Sequence, residues 1–336
     1  MHNIKFNFYS PGSINDAFEL KKNSLDSVYL AGGTDFIPLL KYNLKTPQSL
    51  ISLSKVSELA TVKPENNGIF IGSMVTLNEL TENITIFENF PAITAAAISV
   101  ASPQIRNIGT IGGNILQDRR CMFFNQSENW RSNLAPCYKL GGNVCFQVPN
   151  SDTCRALHYS DLAPVLISLG AEAILFDGEV KIVSVSQLVG NHVIDNGGVK
   201  SGDTLLQGFH IPYLPKNYWS KFEKHSLRAS LDFATMNVAA AYSVSNKKPK
   251  IKIVVGALSP LPIELNGVSS MITDNISALN QFRENILKKV KTELTEKNML
   301  IRETGISIKV KRNTANNVIS LVNELISFII ADGKRP

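Results

Sequence analysis

The chain has no G-x-G-x-x-G turn, no G-x-x-x-x-G-K-[ST] loop and no H-E-x-x-H run. These absences remove the nicotinamide and ATP signatures and the zincin proteases. No Ser/His/Asp order or paired-carboxylate spacing emerges either, and the five histidines, at 2, 158, 192, 210 and 225, are scattered. Each histidine therefore reads as a surface or satisfied core residue, and no catalytic residue is expected on this chain. No stretch approaches the roughly 20 apolar residues that span a bilayer. The longest candidates, ITAAAISVA and LISFII, are short and flanked by polar residues. MHNIKFNFYS lacks the apolar run and cleavage site of a secretory signal, so the expected location is cytoplasmic and reducing. Net charge is +6, but the basic residues are spread, and no Lys/Arg run interleaved with aromatics suggests a nucleic-acid partner. KKPKIK from Lys247 reads as a solvated hairpin or the start of a strand. What remains is an ordinary globular composition, 44% hydrophobic and 18% charged, in 336 residues that suffice for two domains.

Cysteine is scarce and clustered. All four, Cys121, Cys137, Cys145 and Cys154, fall in one irregular stretch from Arg120 to Arg155. Two disulfides, a structural zinc or an iron-sulfur cluster would each explain the clustering. Disulfides suit a reducing compartment poorly. Zinc sites usually pair cysteines in C-x2-C knuckles, which are missing here. A cubane cluster takes four thiolates from a long wrapping loop. Pro136, Gly141, Gly142 and Pro149 break regular structure, while Phe123, Phe124, Trp130, Tyr138 and Phe146 offer a shell against water.

Along the chain, IKFNFYS alternates as a strand and PGSINDAFELKKN follows as a helix capped near Ser13 and Asp16. In VYLAGGTDFIPLL a buried strand meets Gly32 and Gly33, and a helix begins near Thr34–Asp35, the outline of an anion site. SLISLSKV and NGIFIGSMV read as strands, and TLNELTENITIFENF and PAITAAAISVA as helix. SPQIRNIGTIGGN then places Gly109, Gly112 and Gly113 around Thr110. Two such turns can clasp one pyrophosphate, because glycine lets backbone approach phosphate and Thr34, Thr110 and Asn114 add short donors. DLAPVLISLGA reads as a helix, Asp177-Gly178 as a hairpin turn between strands, and TLLQGFHIPYL as the strand closing the domain. From about Lys216 a second unit begins, ending in two long helices.

AGGTD at 31–35 and SPQIRNIGTIGGN at 102–114 resemble the two FAD-pyrophosphate loops of flavoprotein subunits in the xanthine dehydrogenase family of molybdenum hydroxylases. An insert with four cysteines before Ser160-Asp161-Leu162-Ala163-Pro164 resembles the beta subunit of 4-hydroxybenzoyl-CoA reductase, which carries an extra 4Fe-4S cluster. The resemblance implies an α+β fold: a two-part FAD-binding domain of the para-cresol methylhydroxylase type over 1–215, with the cluster insert at about 118–156. A C-terminal α/β domain of the CO dehydrogenase flavoprotein type is implied over 216–336. It further implies FAD contacts at Ala31, Gly32, Gly33, Thr34, Asp35, Thr110, Ile111, Gly112, Gly113, Asn114, Asp161 and Lys224, and cluster ligands at Cys121, Cys137, Cys145 and Cys154. Lys224 would lie beside the isoalloxazine. Without the resemblance, Lys224 reads as an exposed residue of an amphipathic helix and Asp161 as a helix N-cap.

No molybdopterin-binding or plant-type 2Fe-2S pattern is present, so the molybdenum cofactor and 2Fe-2S clusters are expected on partner subunits of a hetero-oligomer, with ferredoxin as electron donor. A subunit of another aromatic or N-heterocycle hydroxylase, and a non-redox zinc-stapled binding module, are the alternatives. The insert, Asp118 to Arg155, holds two more cationic than anionic side chains. That excess either offsets an anionic cluster or docks an acidic ferredoxin.

Overall fold

The Ser13 hydroxyl accepts the Asp16 N–H and opens the helix Ile14–Asn23, as the sequence predicts. This helix joins β1 (Asn7–Tyr9) to β2 (Ser27–Leu30), and the helix Phe36–Lys41 leads from β2 to β3 (Ser49–Ser52). The three strands are parallel, in the order β1-β3-β2, and parallel neighbours need such crossovers. The structure, a computed structural model, describes residues 5–194, 204–215, 217–228, 230–245, 248–271, 276–293 and 305–331. His2 and the start of KKPKIK at Lys247 lie outside them.

A second, antiparallel sheet contains β4 (Val62–Glu65), β5 (Gly68–Gly72), β6 (Glu172–Phe176), β7 (Val180–Ser184) and β8 (Leu205–Pro212), in the order β4-β5-β8-β6-β7. Gly178, at φ +102°, makes the expected tight turn between β6 and β7. The long excursion from β5 to β6 carries the helices Leu77–Glu82, Ile84–Asn89 and Pro91–Ser99, the second glycine turn, the cysteine insert, and the helix Leu162–Leu169. Thr76 and Glu79 form a reciprocal capping box at the first of these helices.

The third sheet, antiparallel, runs β12-β11-β10-β9, with β9 at Trp219–His225, β10 at Met236–Ser245, β11 at Lys248–Gly256 and β12 at Ile263–Glu264. Alternation along these strands sends side chains to two buried faces. Val238, Ala240, Ile251 and Ile253 join a core with the helices Ile276–Glu293 and Gly305–Ile330. Phe222, Ala239, Ala241 and Val254 join the core of the five-stranded sheet and its helices. Lys224 shares the parity of Phe222, and Asn237 that of Ala239. Both therefore face the first half of the molecule, as cross-strand partners in register. The reading that holds without the resemblance, Lys224 on an amphipathic helix, fails, because Lys224 lies in β9, which is fixed by pairing with β10 rather than by its own sequence. The mixed architecture is the expected α+β class. Among the described residues no helix is long and apolar enough to cross a membrane.

Candidate functional site

The two glycine turns lie against each other. A Cβ on Gly32 would stand 1.9 Å from the Ile108 carbonyl oxygen, and one on Gly113 would stand 3.8 Å from the Ala31 Cβ. A Cβ on Gly109 would stand 3.3 Å from the Thr34 Oγ1. Glycine at 32 is thus required by the approach of one loop to the other, and glycine at 33 by its φ of +72°. The loops differ in what their backbones offer. In the second, Ile111 N–H donates to Val75 O, Gly112 N–H to Ser73 O, Gly113 N–H to Thr110 Oγ1 and Asn114 N–H to Thr110 O. Ile111 and Gly112 are buried, so this loop is a rigid wall. In the first, the N–H groups from Gly32 to Phe36 have no acceptor among the described residues. That run of donors is the side on which an anion fits.

Asp161 and Lys224 meet beside the second loop. Lys224 Nζ lies 2.7 Å from Asp161 Oδ2 and donates to Ser99 O at 2.8 Å, with side chains 12% and 4% exposed. Asn237 Nδ2 donates to Asp161 Oδ1 at 2.7 Å. Asp161 stands at the N-cap of the following helix, but its carboxylate makes no cap hydrogen bond, and Ser160 Oγ accepts the Ala163 N–H instead. The same Ser160 hydroxyl donates to Asn114 Oδ1 at 2.6 Å, so the ion pair is tied to the T-I-G-G-N turn. Burial pushes the Asp161 carboxyl up, against the pull of the Lys224 ammonium. The third Lys224 donor has no acceptor among the described residues.

Removing one partner of a buried pair strands the other charge. Asp161→Ala is expected to destabilise the chain by about 3–5 kcal/mol in chemical denaturation, with Lys224→Met recovering part of the loss in the double variant. A change below about 1 kcal/mol would mean that solvent screens the pair.

The cysteine insert is fastened to the first glycine loop. Asp35 Oδ1 receives Arg120 Nη2 at 2.5 Å, and its Oδ2 accepts the Asp118 N–H at 3.1 Å. Both carboxylate oxygens of this loop residue therefore serve the insert. The Arg120 guanidinium also lies 4.7 Å from the ring centroid of Phe233, which packs on Tyr159 at 5.2 Å. Arg120 N–H and O exchange hydrogen bonds with Leu157, closing the neck of the insert. Beyond the neck, Cys121, Cys137, Cys145 and Cys154 line one pocket, partly open to solvent. Phe123, Phe124, Tyr138 and Phe146 line it too. Trp130 does not: it packs on Phe123 from outside and is 42% exposed. All four cysteines are half-buried free thiols. Burial raises the Cys121 thiol, and Cys154 and Cys145 raise it further, against hydrogen bonds from the Phe123 and Phe124 backbone. Among the described residues no three His, Cys, Asp or Glu side chains stand close enough to share one metal ion.

The insert's charges are largely internal. Lys139 is 1% exposed at its side chain, 2.7 Å from Asp118 Oδ1, and its Nζ lies 4.2 Å from the Phe124 ring centroid. Burial lowers its affinity for a proton, and Asp118 opposes that shift. Arg119 is buried as well.

The expected residues thus fall in two adjoining groups, the loops with Asp161 and Lys224, and the four cysteines, joined by Asp35 and Arg120. Sequence reasoning missed Arg120, Ser160 and Asn237. Only Asn237 left a local signal, as an amide heading an apolar strand.

Known proteins resemble this chain in sequence and in fold. Over 289 residues the chain is 24% identical to the xanthine dehydrogenase FAD-binding subunit of Escherichia coli, covering 84% of this chain and 85% of the relative. It is 37% identical over 110 residues to the carbon monoxide dehydrogenase medium chain of Afipia carboxidovorans, covering 32% of this chain and 38% of the relative. The solved structure of the Cu,Mo-CO dehydrogenase shares its fold at a TM-score of 0.71, with 22% identity, 95% of this chain and 97% of that one covered. Residues 4–213 match the FAD binding domain in molybdopterin dehydrogenase. That match spans more than half of the chain, and the protein accordingly belongs to this FAD-binding family of molybdenum hydroxylase oxidoreductases.

Proposed function

We propose that the chain is the FAD- and 4Fe-4S-containing electron-transfer subunit of a molybdenum-dependent complex like 4-hydroxybenzoyl-CoA reductase. Residues 1–215 form its FAD-binding domain and 216–336 the covering domain, while 2Fe-2S and molybdenum subunits are its partners. Ferredoxin electrons pass through the insert to the flavin, for reductive dehydroxylation of an aromatic thioester. The observation that carries this reading is the convergence of all four cysteines on one pocket, in an insert bolted to the first FAD loop by Asp35 and Arg120.

The residues fit both groups. The N–H run of Gly32 to Phe36 faces a diphosphate from one loop while the second loop supplies a stiff wall. Lys224, held by Asp161 and Ser99, keeps one donor for the flavin and a positive charge for its reduced form. Four thiols around a shared volume suit a cubane. A lone zinc needs its sulfurs converging at about 2.3 Å on one point. Bound FAD exchanges one- and two-electron chemistry, and an iron-sulfur cluster supplies single electrons.

Metal analysis tests the proposal. Chain isolated anaerobically under iron-replete conditions is expected to hold about four irons with matching sulfide. Zinc at full occupancy would establish the stapled binding module instead. A second reading, a subunit acting with another aromatic or heterocycle hydroxylase, is favoured by the similarity to the xanthine dehydrogenase subunit. Turnover of 4-hydroxybenzoyl-CoA by the assembled complex separates the two.

A further inference from the structure

Resting on the cluster reading above, we infer that Lys139 and Asp118 set the electrostatic potential of the cysteine pocket, and with it the reduction potential of the group held there. Lys139 is the positioning cation and Asp118 the opposing charge behind it.

The pocket wall has a one-sided charge. Lys139 and Arg155 contribute to it, together with the four cysteines and the aromatic side chains, and no carboxylate does. Asp118 lies behind Lys139, outside the lining, at 2.7 Å from its Nζ. The buried pair is therefore oriented, with its positive end to the cysteines and its negative end away. Geometry fixes that orientation. Lys139 follows Cys137 in a single turn from Tyr138 to Leu140, its Nζ donates to the Arg119 carbonyl, and the Phe124 ring covers it. The face of an aromatic ring and a carboxylate both favour the ammonium form.

Four neutral thiols have no use for such a wall. Four metal-bound thiolates are anionic, and a buried cation at their side stabilises them. The stabilisation grows when the pocket accepts one further electron, because the Coulomb energy scales with the charge acquired and solvent screens little there. Removing the Lys139 charge should then make reduction harder. Removing the Asp118 charge should make it easier. A merely structural pair would not produce shifts of opposite sign.

The test is a redox titration of the full chain at fixed pH, with dithionite as one-electron donor, followed by absorbance and electron paramagnetic resonance. Iron and sulfide are measured on every sample. Lys139→Met is expected to shift the reduced-to-oxidised ratio about tenfold toward oxidised, roughly 59 mV for one electron. Asp118→Asn is expected to shift it the other way, and Lys139→Arg to stay near wild type. If Lys139→Met loses its iron, Asp118→Asn decides alone. Iron-loaded variants that titrate with wild type, or that move in the same direction, overturn the inference while leaving the cluster in place. A wild-type chain without iron overturns the cluster reading and this inference together.

Discussion

Gly32→Val is expected to leave a folded chain that has lost its FAD. The added Cβ falls 1.9 Å from the Ile108 carbonyl oxygen and 2.7 Å from its carbon, distances that no side-chain rotation relieves. Since the second loop is locked by its hydrogen bonds to Ser73 and Val75, the first must move away. Its N–H run then no longer faces a diphosphate across the wall. Loss of two or three such bonds weakens binding about a hundredfold or more, roughly 2.7 kcal/mol. Gly12→Ala is the control, because nothing stands within 4 Å of a Cβ there. Flavin absorbance after desalting, with far-ultraviolet circular dichroism on the same samples, reads the result. Retention of FAD at wild-type affinity in Gly32→Val would place the diphosphate elsewhere.

Cys137→Ser should abolish iron binding while keeping the insert in place. The backbone around Cys137 holds itself: Tyr138 N–H donates to Val144 O at 3.1 Å, and Gly142 N–H donates to Cys137 O at 2.9 Å. Gly142 is needed for this hairpin, since a Cβ there would lie 1.7 Å from Pro136 O. Serine preserves that turn but replaces a soft thiolate by a hydroxyl that seldom ionises, so iron is expected to fall from about four per chain to below one. Stopped-flow bleaching of the flavin by reduced ferredoxin should slow correspondingly. Equal rates in wild type and variant would mean that electrons reach FAD without the insert.

The basic surface expected to attract an acidic donor is thinner than the sequence suggests. Lys139 and Arg119 are buried, Arg120 is paired with Asp35, Arg131 donates to Asn43 O, and Arg155 lines the cysteine pocket and donates to Ser151 Oγ. Salt dependence of that encounter should accordingly be modest.

Features with a local cause were legible in the sequence. Asp177-Gly178 announced its hairpin because the turn demands positive φ, and Ser13 its helix because the cap is three residues away. The glycine turns were legible for the same reason, as steric requirements written in one residue type. What the glycines touch was not. The partners of the second loop come from Ser73 and Val75, brought in when Thr76 bridges Thr110. The Asp35 partner Arg120 was not legible, because it stands 85 residues away in sequence. The N-cap position of Asp161 was legible because capping is a local pattern, whereas its ion pair was not, since Lys224 and Asn237 reach it only after β9 and β10 have paired. β9 itself, WSKFEKH, carries no strand signature strong enough to stand alone.

The place of β8 governs how the molecule is assembled on the ribosome. β4 with β5, and β6 with β7, are hairpins that form from neighbouring segments, yet the sheet has no continuity until Leu205–Pro212 slides between β5 and β6. Until then two open backbone edges wait, with the second glycine turn and the cysteine insert already synthesised between them. Unpaired edges invite pairing with other chains, and contacts this distant in sequence form slowly. Cofactor loading thus belongs after the emergence of β8, and a nascent chain stalled before Leu205 presents chaperones with two half-sheets rather than a flavin site.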